Sequence, residues 1–182
     1  MSKVYIFLAD GFEDIEGLTV LDLMRRAGID IETVSIKNSR EITTSHNITM
    51  YTDRIFEGTD FSDADMLVLP GGMPGTKYLG EYAPLQELLR GFYEKGGKVA
   101  AICAAPSIFG SLGFLKNRKA TAYPSFMGSL EGAEAVEDKV VVDGNLTNSR
   151  GRFNSITFAI SILEHILGKE KAEEIAESVV YS

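Results

Sequence analysis

KVAAICAAPSIFG, residues 98–110, passes from a short apolar run into a proline-led helical segment, and the chain's single cysteine, Cys103, stands at the joint. An apolar run of this length reads as a buried strand. Pro106 suits a first helical turn because it gives up an amide that the turn does not use. The same strand-to-helix alternation extends in both directions. KVYIFLAD, residues 3–10, is a second apolar run, followed by residues 16–27 with Leu18, Leu21, Met24 and Ala27 at helical spacing and Gly28 as a stop. DIETVSIK alternates as a strand, and EITTSHNITMYTDRIF reads as extended chain forming an added hairpin. ADMLVLPGG is a buried strand ending in a glycine pair. Pro84 opens a helix with Leu85, Leu88, Leu89 and Phe92 on one face, closed by Gly96 and Gly97. KATAY adds a short strand, and KVVVDGNLTNS is a hairpin about Asp143-Gly144. Two helices split at Gly168 end the pattern, with Ile156, Ile160, Leu163 and Leu167, then Ala172, Ile175, Ala176 and Val179, expected on their buried faces. Strands and helices in this order predict an α/β fold: a doubly wound, mostly parallel sheet sandwiched between helices, as one domain over residues 1–182.

The composition narrows the function classes. With 45% hydrophobic and 24% charged residues, the chain can build a substantial core. A formal net charge of −8 opposes binding to a nucleic-acid backbone, which needs clustered Lys and Arg. No apolar run is long enough for a membrane span, and the acidic cluster in MSKVYIFLADGFEDIE comes too early for a secretory signal, so the expected compartment is the cytoplasm. One cysteine excludes an internal disulfide, and the two histidines, His46 and His165, lie too far apart in sequence for metal-ligand spacing. No phosphate-cradling glycine motif is present, so neither a metal nor a cofactor is expected. The basic pair in MRRAGI reads as a complement to the dipole at a helix C-terminus.

In doubly wound sheets ligands bind beyond the carboxyl ends of the strands. Three such ends carry chemistry here: Ala9 to Glu16, Pro70 to Met73, and Cys103. A side chain on a sharp strand-to-helix turn is held out of the sheet. The amides of Ala104 and Ala105 and the following helix N-terminus are expected to favour a thiolate, which at such positions brings a thiol pKa down to roughly 3.5–7.5. Glu16 can supply a carboxyl group from the neighbouring strand end, or act simply as an anion at a helix N-terminus. Gly71 and Gly72 allow the backbone to approach a ligand and aim amides at a developing oxyanion.

Taken in order, ADGFEDIE, MRRAGI, LVLPGGMPG, AAICAAP, TNSRG and ILGKEKAEEIA resemble the ThiJ/PfpI (DJ-type) superfamily, in particular its parkinsonism-protein deglycase and bacterial-chaperone branch. The resemblance covers essentially the whole chain. It implies a flavodoxin-like sandwich, a homodimer, a nucleophilic Cys103, Glu16 as the acid that hydrogen-bonds the sulfur, and an anion pocket lined by Gly71, Gly72 and Ala104. His46 stands where relatives often carry Arg, so it could meet the pocket across a dimer interface; otherwise it is an exposed loop histidine. Arg26 and Tyr123 are further candidates for the pocket rim or dimer contact.

The chain departs from the family pattern at informative places. Ala104 follows the elbow cysteine where protease-like members have His, which disfavours a peptidase. SRGRFNS replaces the more usual SRGPGT, so Arg152 and Phe153 stand where Pro and Gly are common. Two function classes remain. One is an enzyme acting through Cys103 on small reactive dicarbonyls, of the glutathione-independent glyoxalase or deglycase type. The other is a redox-sensing, chaperone-like stress protein whose cysteine oxidises to a sulfinate stabilised by Glu16.

Overall fold

The computed structural model describes residues 2–181. Its strands are β1 (Lys3–Leu8), β2 (Asp30–Ser35), β3 (Glu41–Thr43), β4 (Thr49–Tyr51), β5 (Arg54–Ile55), β6 (Met66–Leu69), β7 (Lys98–Ile102), β8 (Lys119–Ala120), β9 (Glu134–Ala135), β10 (Val140–Asp143) and β11 (Leu146–Ser149). The α-helices are α1 (Asp14–Arg26), α2 (Gly75–Glu81), α3 (Ala83–Glu94), α4 (Pro106–Ser111), α5 (Ser155–Leu167) and α6 (Lys169–Ser178). Seven strands form one sheet in the order β10-β11-β7-β6-β1-β2-β5, parallel except for the β10–β11 hairpin.

The apolar runs are continuous because the sheet is covered on both faces. Along β1 and the residue that follows it, Tyr5, Phe7 and Ala9 enter one core while Val4, Ile6 and Leu8 enter the other, and all six are at most 3% exposed. The first core is completed by Leu79 of α2, Leu85 and Leu89 of α3, and Ile108 and Phe109 of α4. The second takes Val20, Leu23 and Met24 of α1, Phe158, Ala159, Ile162 and Leu163 of α5, and Ala172 and Ile175 of α6.

Two helix faces are rotated from the expected ones. In α1 the buried stripe is Glu16, Gly17, Val20, Leu23 and Met24, while Leu18 is exposed and Leu21 half-buried. In α5 Phe158, Ala159, Ile162 and Leu163 face inward, leaving Ile156 and Leu167 exposed. Both helices are apolar on more than one side, so periodicity alone could not orient them. The expected added hairpin is β3–β4, and α2, short and glycine-bounded, gave no periodic signal.

Parallel pairing of β6 with both β1 and β7 brings the carboxyl ends of the three strands side by side. The chain leaves β1 toward β2 on one side, while β6 and β7 lie on the other. This is the switch point of a doubly wound sheet, and the three chemistry-bearing segments meet there.

Candidate active site

Cys103 follows the last residue of β7 at φ +65°, one of four non-glycine residues with positive φ among those described. Such a conformation costs about 1–2 kcal/mol in an L-residue and persists only where its surroundings fix it. Here both backbone groups are held: the Cys103 N–H donates to Ser149 O at 2.8 Å, and its carbonyl accepts the Tyr123 N–H at 2.8 Å. The elbow is thus fastened to the end of β11 and to the segment after β8, and the half-buried side chain turns toward β1 and β6.

Glu16, in the first turn of α1, is fully buried. Its Oε2 accepts the Gly71 N–H at 2.9 Å. Its Oε1 has no hydrogen-bond partner, and the carboxyl lies beside the Cys103 sulfur, close enough for the two groups to sense each other's charge. Gly71 makes this proximity possible: a Cβ there would stand 2.5 Å from Glu16 Oε2 and 2.6 Å from Cys103 Cβ. Gly72, at φ +90°, turns its amide toward the sulfur, as does Ala104. The expected contribution of the Ala105 amide is absent, because that N–H donates to Ile102 O at 3.1 Å.

The electrostatics correct one expectation. Burial pushes Glu16 up to about 7, opposed by the Gly71 amide and the thiol. Burial, reinforced by the Glu16 charge, pushes the Cys103 thiol up to about 12, and the Ala104 and Gly72 amides only partly offset this. A preformed, low-pKa thiolate is therefore not what the site provides. The helix after the elbow has six residues and sums few peptide dipoles, so desolvation and a neighbouring carboxylate prevail. Above about 7 the pair holds one proton, on sulfur, and Glu16 in its ionised form is placed to take that proton as sulfur attacks.

Further charged groups lie close to the pair. Glu13, just before α1 and 5% exposed, donates its N–H to Gly71 O at 2.9 Å. Its Oε2 lies 3.6 Å from Arg152 Nη2, and its Oε1, without a hydrogen bond, lies 3.7 Å from His46 Nδ1. His46 also sits 2.6 Å from Asp14 Oδ1, and that contact, with the Glu13 charge, raises its pKa. Within its own chain the exposed His46 thus contacts Asp14 and approaches Glu13. The turn between β3 and β4 carries it to the start of α1. Glu13, Asp14 and His46 are also the group among the described residues that could hold a metal ion, with ligand atoms within 4.8 Å of one another. Sequence spacing hid this, because His46 lies 32 residues from Asp14.

Arg26 does not enter the pocket. It ends α1, at the opposite end of the helix from Glu16, and pairs with Asp22 at 2.8 Å, while Arg25 pairs with Asp53 at 2.9 Å. Tyr123 does reach the site: its ring would lie 3.4 Å from a Cβ on Gly151, and Cys103 Sγ would lie 4.0 Å from the same point. Tyr123, Arg150, Gly151 and Arg152 line a cleft of about 290 Å³ that Cys103 itself does not line and that neighbours the sulfur through Gly151. A larger cavity, about 700 Å³, involves Lys98 and Asp65 at the opposite end of the sheet and has no part in this chemistry. His165 is also remote, with Nδ1 3.2 Å from Thr147 Oγ1 on β11. Glu13 and Gly151 escaped the sequence reading; the one available signal for Glu13 was its place in GFEDIE, three residues before Glu16.

No helix among the described residues is long and apolar enough to cross a membrane. Comparison with known proteins places the chain in a family. "Protein DJ-1 homolog B" of Arabidopsis thaliana is 38% identical over 98% of this chain, which spans 41% of that relative's length. "Deglycase TK1284" of Thermococcus kodakarensis is 38% identical over 81% of this chain and 89% of its own. "Glutathione-independent glyoxalase DJ-1" of Schizosaccharomyces pombe is 29% identical over 98% of each. The solved structure "Toxoplasma gondii DJ-1, oxidized" superposes with a TM-score of 0.96 at 30% identity, covering all of both chains. The sheet order, the cysteine elbow and a match of residues 2–165 to the DJ-1/PfpI family model agree: the chain belongs to the DJ-1/PfpI family.

Proposed function

We propose that this protein is a cysteine-dependent enzyme that converts small 2-oxoaldehydes to 2-hydroxy acids without glutathione. The observation that carries the reading is the elbow thiol set against a buried carboxyl whose Oε1 has no other partner, beside a cleft of about 290 Å³. Relatives named as a glyoxalase and a deglycase support it.

Each step follows from those groups. Sulfur attacks the aldehyde carbon as the thiol proton passes to Glu16; the carbonyl π electrons move to oxygen, and Glu16 returns the proton there, leaving a hemithioacetal. The amides of Gly72 and Ala104, already turned toward the sulfur, would stabilise charge on that oxygen. The Glu16 carboxylate then removes the proton on C1 to give an enediol and returns it to C2, while the hydroxyl proton on the C1 oxygen passes to the C2 oxygen. C1 is oxidised and C2 reduced within one molecule, giving a 2-hydroxy thioester. Water cleaves the thioester, restores the thiol and releases the acid.

The test is lactate formation from methylglyoxal in the absence of glutathione. Turnover that stops when Cys103 is alkylated supports the reading, and no lactate above the solution rate overturns it. The second reading, a redox sensor, is favoured by the amides of Gly72 and Ala104, which could bind a sulfinate as well as an oxyanion. On that reading dilute peroxide adds two oxygens to Cys103 and methylglyoxal is left unchanged.

The working unit is a homodimer formed through α1 in this reading. Ile15 is 48% and Leu18 36% exposed, one helical turn apart and with Leu21 half-buried beside them, which makes an outward apolar stripe. Light scattering is expected to give twice the chain mass for the wild type and a monomer for Leu18→Glu. A wild-type monomer at micromolar concentration would remove the dimer.

A further inference from the structure

The cleft beside Cys103 carries an unusual charge for this molecule. The chain is acidic, with a formal net charge of −8, yet among the described residues the ionisable side chains lining the cleft are Tyr123 and two arginines, Arg150 and Arg152, with no carboxylate. A Cβ built on Gly151, between the arginines, would stand 4.0 Å from the Cys103 sulfur. The two guanidinium groups are held differently. Arg150 pairs at 3.4 Å with Glu137, whose side chain is 85% exposed. Arg152 is drawn toward the catalytic pair by buried Glu13, at 3.6 Å, a separation that leaves its donors free for a stronger acceptor. Its charge is felt at Glu16.

We infer that Arg152 makes this site selective for small carbonyl compounds bearing a carboxylate or phosphate group, with the anion held at the cleft mouth and the aldehyde carbon at Cys103. The inference deepens the proposed 2-oxoaldehyde chemistry and rests on it for the reaction, though not for anion binding. Arg152 is the position where SRGRFNS departs from SRGPGT, so the preference belongs to this chain's own sequence. Glu13 acts as a positioning residue: it holds Arg152 without touching substrate. A guanidinium within several ångströms of a substrate anion, in a partly desolvated cleft, changes relative rates by about five- to thirtyfold.

Two measurements on the intact protein test this. The first needs no turnover: Cys103 is alkylated with iodoacetate and with iodoacetamide, reagents of nearly equal size that differ in charge. The iodoacetate-to-iodoacetamide rate ratio is expected to fall at least fivefold in Arg152→Gln, to be largely retained in Arg152→Lys, and to shrink with added salt in the wild type. The second compares kcat/KM for 4,5-dioxopentanoate, an anionic 2-oxoaldehyde, with that for methylglyoxal; Arg152→Gln is expected to lower this preference by a similar factor. An alkylation ratio unchanged by Arg152→Gln overturns the anion site even if both aldehydes are consumed. A ratio that falls as expected while neither aldehyde is consumed keeps the anion site and overturns the proposed reaction instead.

Discussion

Glu16→Gln is expected to slow lactate formation from methylglyoxal by about a thousandfold, the middle of the range for loss of a positioned general base. Cys103→Ser should lower it to the solution rate, since a serine hydroxyl beside the same carboxylate is a far weaker nucleophile. The two variants differ in what they leave behind. In Glu16→Gln the Gly71 amide still finds an oxygen to bond, so the elbow keeps its shape while the proton acceptor is lost. The pH profile gives the sign. Glu16, raised to about 7 by burial, is the base only when ionised, so the wild-type rate climbs between pH 6 and 8 and levels off above. The Gln variant should show no rise near 7. A Glu16→Gln enzyme within tenfold of wild type, with the same profile, would falsify the assignment of Glu16 as the proton carrier.

The same variant should be more stable than the wild type at pH 8. An unfolded chain releases the Glu16 proton near 4.5, whereas the fold holds it to about 7. Stability therefore falls as pH rises between those values, and the whole penalty is present above 7. For a fully buried group with this shift it is on the order of 2–4 kcal/mol. Denaturant midpoints for the two proteins should converge below about pH 4 and separate above 7, with Glu16→Gln the higher. Activity and stability moving in opposite directions in one variant is the signature of a carboxyl kept buried for chemistry.

How much of this was legible in the sequence depends on whether the signal was local. Continuous apolar runs such as residues 98–102 gave the strands, because a strand buried on both faces needs no partner to be recognised. The elbow was legible because a lone cysteine between a strand and Pro106 has few other readings. The position of Glu16 at the start of α1 was legible, but its burial was not: it comes from the face α1 turns inward, which an amphipathic pattern with leucines on both sides does not reveal. Long-range encounters left no local trace. The contact of His46 with Asp14 depends on the β3–β4 turn, and the approach of Arg152 to Glu13 joins segments from opposite ends of the chain. The thiol's electrostatics were misjudged because a helix N-terminus can be read from sequence, while the burial that outweighs it cannot.

Gly72→Ala is expected to cost about 2–5 kcal/mol and to lower the melting temperature by roughly 10 °C. Two independent terms add. The backbone at φ +90° is one an alanine adopts at a cost of about 1–2 kcal/mol. The new Cβ would also stand 2.3 Å from Glu13 N and 2.7 Å from Gly11 O, both backbone atoms that no rotamer change can move aside. Relief requires separating the β1–α1 loop from the β6 turn, which is the contact that sets Glu16 against Cys103. Gly28→Ala separates the two terms. It stands at φ +76° with nothing within 4 Å of its Cβ, so it should lose only the conformational part and keep full activity. If both variants melt at the same temperature, the close approach at Gly72 is not what holds the site together. If Gly72→Ala alone melts early and loses turnover even when folded, the glycine pair is what brings the carboxyl and the thiol within reach of one proton.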